Sequence, residues 1–522
     1  MSQVKILTTI ACAAILGLCG AKVFGQEKKT DELKVAEIFG NSMVLQRDME
    51  IPVWGWAEKG EEITVEFNGY VKTTVAGQDG RWTVRIGPFT AGGPYYMKIK
   101  GKTTRTIGDI MVGEVWLCSG QSNMQWPLEK MENAEEEIAG ANNPDIRIVT
   151  VRGGATLEQK KDLSPEWISC KWTRCHPSTA KTFSAPGYFF GRELYKSLNV
   201  PIGIISTAEG SSPLRSWISP DIQKSNPLFK AVLDDYSTYA ERKKPYNAYL
   251  EALKKAKAEG TKEPPFPGNF EAYGDGPGMF YNSRVYPLAP FAIRGVVWWQ
   301  GENEAIYKHA DGYKDLFPVL IEDWRRLWGQ GDFPFLFVQL QPIGSPAKEP
   351  VESAWAEVRD GQRQTLKVKN TGMAVTTDIC DASLHPIRKA ELGKRLAAAA
   401  RNIAYGEKIV CSGPIFDKAE FKDGKAYISF SNVGGGLVAK GDRPEGFSIA
   451  GADNKFVRAE AEIFQDKVIV HSYKVPDPKA LRYAWADNPS GNLFNKEGLP
   501  ASCFRTDEQA GFMDRESQLS KK

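Results

Sequence analysis

An α/β fold with a parallel sheet, flanked at both ends by β-sandwich-like regions, is predicted by three features of this 522-residue chain. From Val35 to Ile107, apolar and polar residues alternate in short segments broken by turns, the period-two pattern of half-buried strands. From Asp109, continuous apolar runs alternate with amphipathic ones, as in strands buried on both faces and covered by helices. Beyond Gly406 the alternating pattern returns. The expected boundaries are a leader over 1–25, a β-sandwich-like domain over 26–108 and the α/β domain over 109–405, with an insertion at about 218–277. A β-rich region over 406–505 and a polar, frayed tail over 506–522 follow.

The leader carries Lys5, then an apolar stretch from Ile6 to Leu18 that is too short to span a bilayer. Val23-Phe24-Gly25 forms a small-residue cleavage site before Gln26, so export to the periplasm or the extracellular space is expected. No later segment reaches the ~18 apolar residues of a membrane span. In the first β region, Ile51–Trp56, Ile63–Phe67 and Arg81–Ile86 read as strands, with an Asp79-Gly80 turn before the last. In the α/β region the strands are Val112–Cys118, Ile202–Ser206, Gly295–Trp299, Phe335–Leu340 and Met373–Thr377. Helical spacing joins Tyr188, Phe189 and Leu194; then Leu316, Phe317, Leu320 and Trp324; then Ile387, Leu392, Leu396 and Ala400. Ala426–Phe430 and Lys467–Val470 are strands of the last β region.

With 67 basic and 64 acidic residues the net charge is +3, which gives no electrostatic reason to bind nucleic acid. Of eight cysteines, six lie beyond the leader, too few for a disulfide scaffold. Neither Cys-x-x-Cys nor His-Glu-x-x-His occurs, so no metal site and no cofactor is expected.

Four loops that follow strands carry the chemistry. Gly120-Gln121-Ser122-Asn123 is a tight turn that would expose a serine at the carboxyl edge of the sheet. Thr207–Ser212 contains Gly210, where a backbone N–H can approach a substrate closely. Gln300-Gly301-Glu302-Asn303-Glu304 can aim amide donors at a developing oxyanion. His385, one of four histidines, lies past the strand Met373–Thr377 at the same edge as Ser122 and reads as a general base; His176, His309 and His471 lie elsewhere. Asp381, or Asp378, is the candidate acid behind the imidazole, with Asp381 favoured; a turn-capping Asp is the competing explanation. Gln121, Gln300, Glu302 and Trp299 border these loops and are expected to bind substrate, while Trp126, Trp217, Trp298 and Trp299 could stack on a sugar ring or pack beneath the loops.

The Gly-Gln-Ser-Asn-Met block, the Gly210 block, the Gln-Gly-Glu block with Asn303 and the late His385-Pro386 resemble the SGNH hydrolase superfamily. More narrowly, with Phe183-Ser184-Ala185, Tyr188–Leu194 and Tyr281-Asn282, the chain resembles the sialate O-acetylesterase family of carbohydrate esterases, roughly from Asp109 to Tyr405. That resemblance implies a flavodoxin-like sheet and metal-free removal of O-acetyl groups from sugars or glycans. It implies Ser122 as nucleophile, His385 as base, and an oxyanion hole made by the Ser122 and Gly210 amides and the Asn303 side chain. Two positions depart from the pattern. The acid usually two or three residues before the histidine is replaced by Ser383 and Ala382, so either Asp381 substitutes or Ser122 and His385 act as a dyad oriented by backbone carbonyls; Asn303 stands where Ser is common, which leaves Gln300 or Asn303 as the donor. Two other readings are a glycoside hydrolase using Glu302 and Glu304, and a non-catalytic sugar-binding protein.

Overall fold

Six parallel strands form the centre of the fold in a computed structural model, which describes residues 33–163, 171–230, 233–234, 248–249, 251–262, 264, 276–307 and 309–509. They are β1 (Thr104–Gly120), β2 (Asn143–Thr150), β3 (Ile202–Ala208), β4 (Gly295–Trp299), β5 (Phe335–Val338) and β6 (Thr371–Ala374). Their spatial order is β2-β3-β1-β4-β5-β6, with Thr173–Cys175 antiparallel along the outer edge of β2. Leaving β2 aside, the other five strands run in the 2-1-3-4-5 order of a doubly wound sheet. In such a sheet the chain departs from β1 in both directions, and a crevice opens at its carboxyl end.

Both faces of this sheet are covered, which is why its strands read as unbroken apolar runs. Trp116 and Cys118 of β1 pack with Phe189, Phe190, Leu392 and Leu396 on one side. Val115 and Leu117 pack with Phe317, Trp324 and Val358 on the other. The first side is covered by α2 (Ala185–Leu198) and α6 (Ala390–Ile403), the second by α4 (Tyr313–Trp328) and α5 (Ala354–Thr365). Two short helices, α1 (Ser122–Gln125) and α3 (Glu302–Ile306), begin just past the ends of β1 and β4. The helical pattern expected from Ile387 starts only at Ala390; Ile387 itself is exposed.

The expected boundary at residue 108 falls inside β1, a strand of 17 residues. Its first half pairs antiparallel with Gly92–Lys100, and that strand continues through Glu62–Phe67 to Tyr70–Val75. Its second half lies between β3 and β4. The change from alternating to continuous apolar sequence near Asp109 thus marks a change of partners along one strand. A separate three-stranded sheet, Lys34–Val35, Ile51–Trp56 and Arg81–Ile86, completes the first β region.

Beyond α6, two four-stranded sheets and a strand pair enclose a core that includes Ile428, Ile449, Val468, Leu481 and Phe504. Asp507, within the expected tail over 506–522, is tied to the fold: both its carboxylate oxygens accept from the buried Arg482 guanidinium, at 2.8 and 2.9 Å, and 510–522 lie outside the described residues. The expected leader, part of the expected insertion and Cys170 lie outside the described residues. The five described cysteines are free. No described helix is long and apolar enough to cross a membrane.

Candidate active site

The site is built where β1 ends. Gly120 has φ +132°, and a Cβ there would sit 2.1 Å from the Trp299 carbonyl oxygen, so only glycine lets the ends of β1 and β4 come this close. The chain then turns, and Ser122 becomes the first residue of α1. A first helical residue has no intrahelical acceptor for its N–H, and none is made elsewhere among the described residues. The Ser122 hydroxyl lies 2.8 Å from Nε2 of His385. The sheet edge thus joins two side chains 263 positions apart.

Around the hydroxyl sit candidate donors from the neighbouring strands. Gly210 follows β3, and a Cβ on it would point into the space 3.7 Å from the Ser122 Cβ. Its N–H, like that of Ser122, has no acceptor among the described residues. Asn303, in the first turn of α3, donates one amide hydrogen to the Ser211 carbonyl at 2.7 Å, leaving a second. Arg284 braces this side: buried, it donates to the Ala208 carbonyl at 3.0 Å and pairs with Glu209. It belongs to a π-helical turn, Tyr281–Val285, a distortion often found at functional sites.

Neither candidate acid reaches the imidazole. Asp381 accepts from the hydroxyl and the N–H of Ser383, at 2.7 and 3.2 Å, and so caps its own turn. Asp378 accepts two bonds from the Arg395 guanidinium, both at 2.7 Å. His385 instead lies flat on the Trp126 indole, centroids 4.1 Å apart and planes 9° apart. Burial lowers its pKa below the ordinary histidine value, and the Lys389 and Lys130 ammonium groups lower it further. An imidazole kept neutral beside a hydroxyl can take its proton.

The four residues expected to bind substrate are all buried beneath the site. The Gln121 side-chain oxygen Oε1 accepts from the N–H groups of Gly301 and Asn303, at 3.2 and 3.4 Å, tying the β1 turn to the β4 turn. Gln300 donates to the Ser212 carbonyl and to Glu304. Trp299 donates its indole N–H to Gln341 at 3.2 Å. Glu302 accepts from Asn123 and Gln341, and burial pushes its carboxyl pKa up. Polar residues after a strand can fold back under the sheet when partners wait there, and here they do. Trp217 and Trp298 are fully buried as well; of the four tryptophans only Trp126 is partly exposed. Glu304 is occupied by the Leu214 N–H and Gln300, so Glu302 and Glu304 do not flank an open cleft as a glycosidase pair would.

Sequence reasoning missed Lys389 and Gln341. Lys389 precedes an amphipathic helix, where a surface lysine is the ordinary reading, yet it is buried, with Nζ 2.7 Å from Asn123 Oδ1 and 4.0 Å from the centre of the Trp299 ring. Burial pulls its ammonium pKa down to about 7. Nothing in its sequence neighbourhood signals this. Among the described residues, no group of three or more His, Cys, Asp or Glu side chains is arranged to hold a metal ion.

Known proteins resemble this chain over most of its length. A family model described as carbohydrate esterase, sialic acid-specific acetylesterase matches residues 112–262 and 277–402. Sialate O-acetylesterase of Rattus norvegicus is 31% identical over 424 residues, covering 74% of this chain and 76% of its own. The enzyme of that name from Homo sapiens is 28% identical over 460 residues, 81% of each chain. The crystal structure of a carbohydrate acetylesterase from Xanthomonas citri superposes with a TM-score of 0.77 at 35% identity, covering 91% of this chain and 100% of that one. A chain matched by the family model on both sides of the insertion, and by relatives over most of its length, belongs to the sialic acid-specific acetylesterase family of carbohydrate esterases.

Proposed function

We propose that this protein is an exported carbohydrate O-acetylesterase that removes acetyl groups from sugars or glycans through a serine nucleophile on a flavodoxin-like, SGNH-type sheet. The observation that carries the reading is the 2.8 Å approach of His385 Nε2 to the Ser122 hydroxyl at the carboxyl edge of the sheet. Nε2 takes the hydroxyl proton as Oγ attacks the acetyl carbonyl. The resulting oxyanion rests on the N–H groups of Ser122 and Gly210 and on the second amide hydrogen of Asn303. Collapse of this intermediate breaks the ester bond, and the imidazolium gives its proton to the departing sugar oxygen. Water, deprotonated by the same nitrogen, then attacks the acetyl-serine; the Ser122 ester bond breaks, the imidazolium returns its proton to Oγ, and acetate leaves. The low pKa of His385 supports this cycle, because a base must be neutral when substrate arrives.

The test is acetate release from a panel of acetylated glycans, including acetylated sialic acids and xylan, by the wild type, Ser122→Ala and His385→Ala. Acetate from at least one substrate, lost in both variants, supports the reading. Undiminished release by Ser122→Ala, or reducing sugar in place of acetate, overturns it.

A further inference from the structure

Beneath the Ser122–His385 pair, four groups close a ring of hydrogen bonds. Asn123 Nδ2 donates to Glu302 Oε1 at 2.5 Å and to the Leu384 carbonyl at 2.9 Å. Gln341 Nε2 donates to the same two oxygens, both at 3.1 Å. Each amide uses both of its hydrogens, and each oxygen receives two. Chemistry fixes both amide orientations. The Leu384 carbonyl only accepts, so it must face the NH2 ends. The Trp299 indole only donates, so it must face the Gln341 oxygen. Lys389 Nζ holds the Asn123 oxygen on the far side.

The ring joins the two residues that flank the reacting pair. Asn123 follows Ser122, and Leu384 precedes His385. The four members come from the segments that follow β1, β4, β5 and β6, and the Oε2 atom of Glu302 is buried with no partner, so the carboxyl acts in the ring through one oxygen. Among the described residues no aspartate bonds to the imidazole. We infer that this ring takes the place of a triad acid: Glu302, Asn123 and Gln341 are positioning residues that pin the Leu384–His385 peptide, and thereby Nε2, to the Ser122 hydroxyl. The inference rests on the esterase reading above and deepens it by saying what positions the base.

Glu302→Gln and Glu302→Leu test it. Both replacements are neutral, so a difference between them reports bonding and not charge. The Gln carbonyl can accept both amides, whereas Leu opens the ring. On an aryl acetate, Glu302→Gln is expected to keep a kcat close to wild type. Glu302→Leu should lose about 10²-fold in kcat with KM little changed, the size of effect that a misplacement near 1 Å produces. Gln341→Met opens the ring at another corner and should behave like Glu302→Leu, which preserves the test if that variant does not fold. A readout independent of turnover is the imidazole titration of His385 by NMR, assigned by its loss in His385→Asn. It should stay near wild type in Glu302→Gln and move to higher pH in the ring-opened variants, as the ring leaves its buried stack on Trp126. A folded ring-opened variant with wild-type kcat and titration overturns the inference, as does a Glu302→Gln variant as impaired as Glu302→Leu. If Ser122→Ala keeps full activity, the esterase reading fails, while the titration still decides whether the ring positions His385.

Discussion

The imidazole of His385 lies flat against the indole of Trp126, 4.1 Å between centroids, while its Nε2 faces Ser122 at 2.8 Å. The base is therefore located by a stack and by its backbone, without a carboxylate on the imidazole. This arrangement has consequences that differ from those of a serine–histidine–aspartate triad.

Trp126 should matter through kcat. Aromatic stacks contribute about 0.5–1.5 kcal/mol beyond burial, so Trp126→Leu is expected to cost up to about tenfold in kcat with KM nearly unchanged. Trp126→Phe should recover most of it. Steady-state kinetics on an aryl acetate and on an acetylated sugar check this. A rise in KM for the sugar alone would mean that Trp126 holds substrate and not the base.

Positive charge around His385 should set the acid limb of the pH profile. Its pKa is held below the usual value by burial, then by Lys389 and Lys130. A neutral imidazole is needed, so kcat/KM should keep its plateau below about pH 6.5 before falling. Removing a nearby cation stabilises the imidazolium and raises that pKa. Lys130→Met should therefore move the acid limb to higher pH, and added salt should move the wild-type limb the same way by screening this exposed lysine. A limb that stays in place, or moves down, contradicts the assignment.

The two aspartates should separate. Loss of a triad acid costs about 10⁴ in kcat, but Asp381→Asn should leave kcat close to wild type, since its carboxylate serves Ser383 and the loop backbone and not the imidazole. Asp378→Asn should also leave kcat close to wild type and lower stability by about 1–3 kcal/mol, because the buried Arg395 loses a charged partner. Thermal melts and kinetics on the two variants distinguish these outcomes from a triad.

Ser122 and His385 were legible in the sequence because each follows a buried strand that ends at the same sheet edge, and strand order can be argued from pattern. The helices α2 and α4 were legible for a similar reason, being strongly periodic. What the sequence concealed depends on partners remote along the chain. Gln121, Gln300 and Glu302 read as loop residues facing substrate, and only the positions of Gly301, Ser212 and Gln341 turn them inward. Lys389 reads as a surface lysine until Asn123, 266 positions away, arrives beside it. The length of β1 was hidden because a strand that exchanges an exposed environment for a covered one changes its hydrophobic period midway. Asp381 misled because its distance from His385 along the chain suits a triad equally well as a turn cap.

In the proposed cycle Ser122 carries the acetyl group between sugar and water. Acid-quenching the enzyme during turnover of an acetylated substrate, then mapping its peptides by mass spectrometry, tests this most directly. An acetylated peptide containing Ser122 is expected, transient in the wild type and absent from Ser122→Ala, which also loses turnover. Sustained turnover with no acetyl group on that peptide, undiminished in Ser122→Ala, would contradict it.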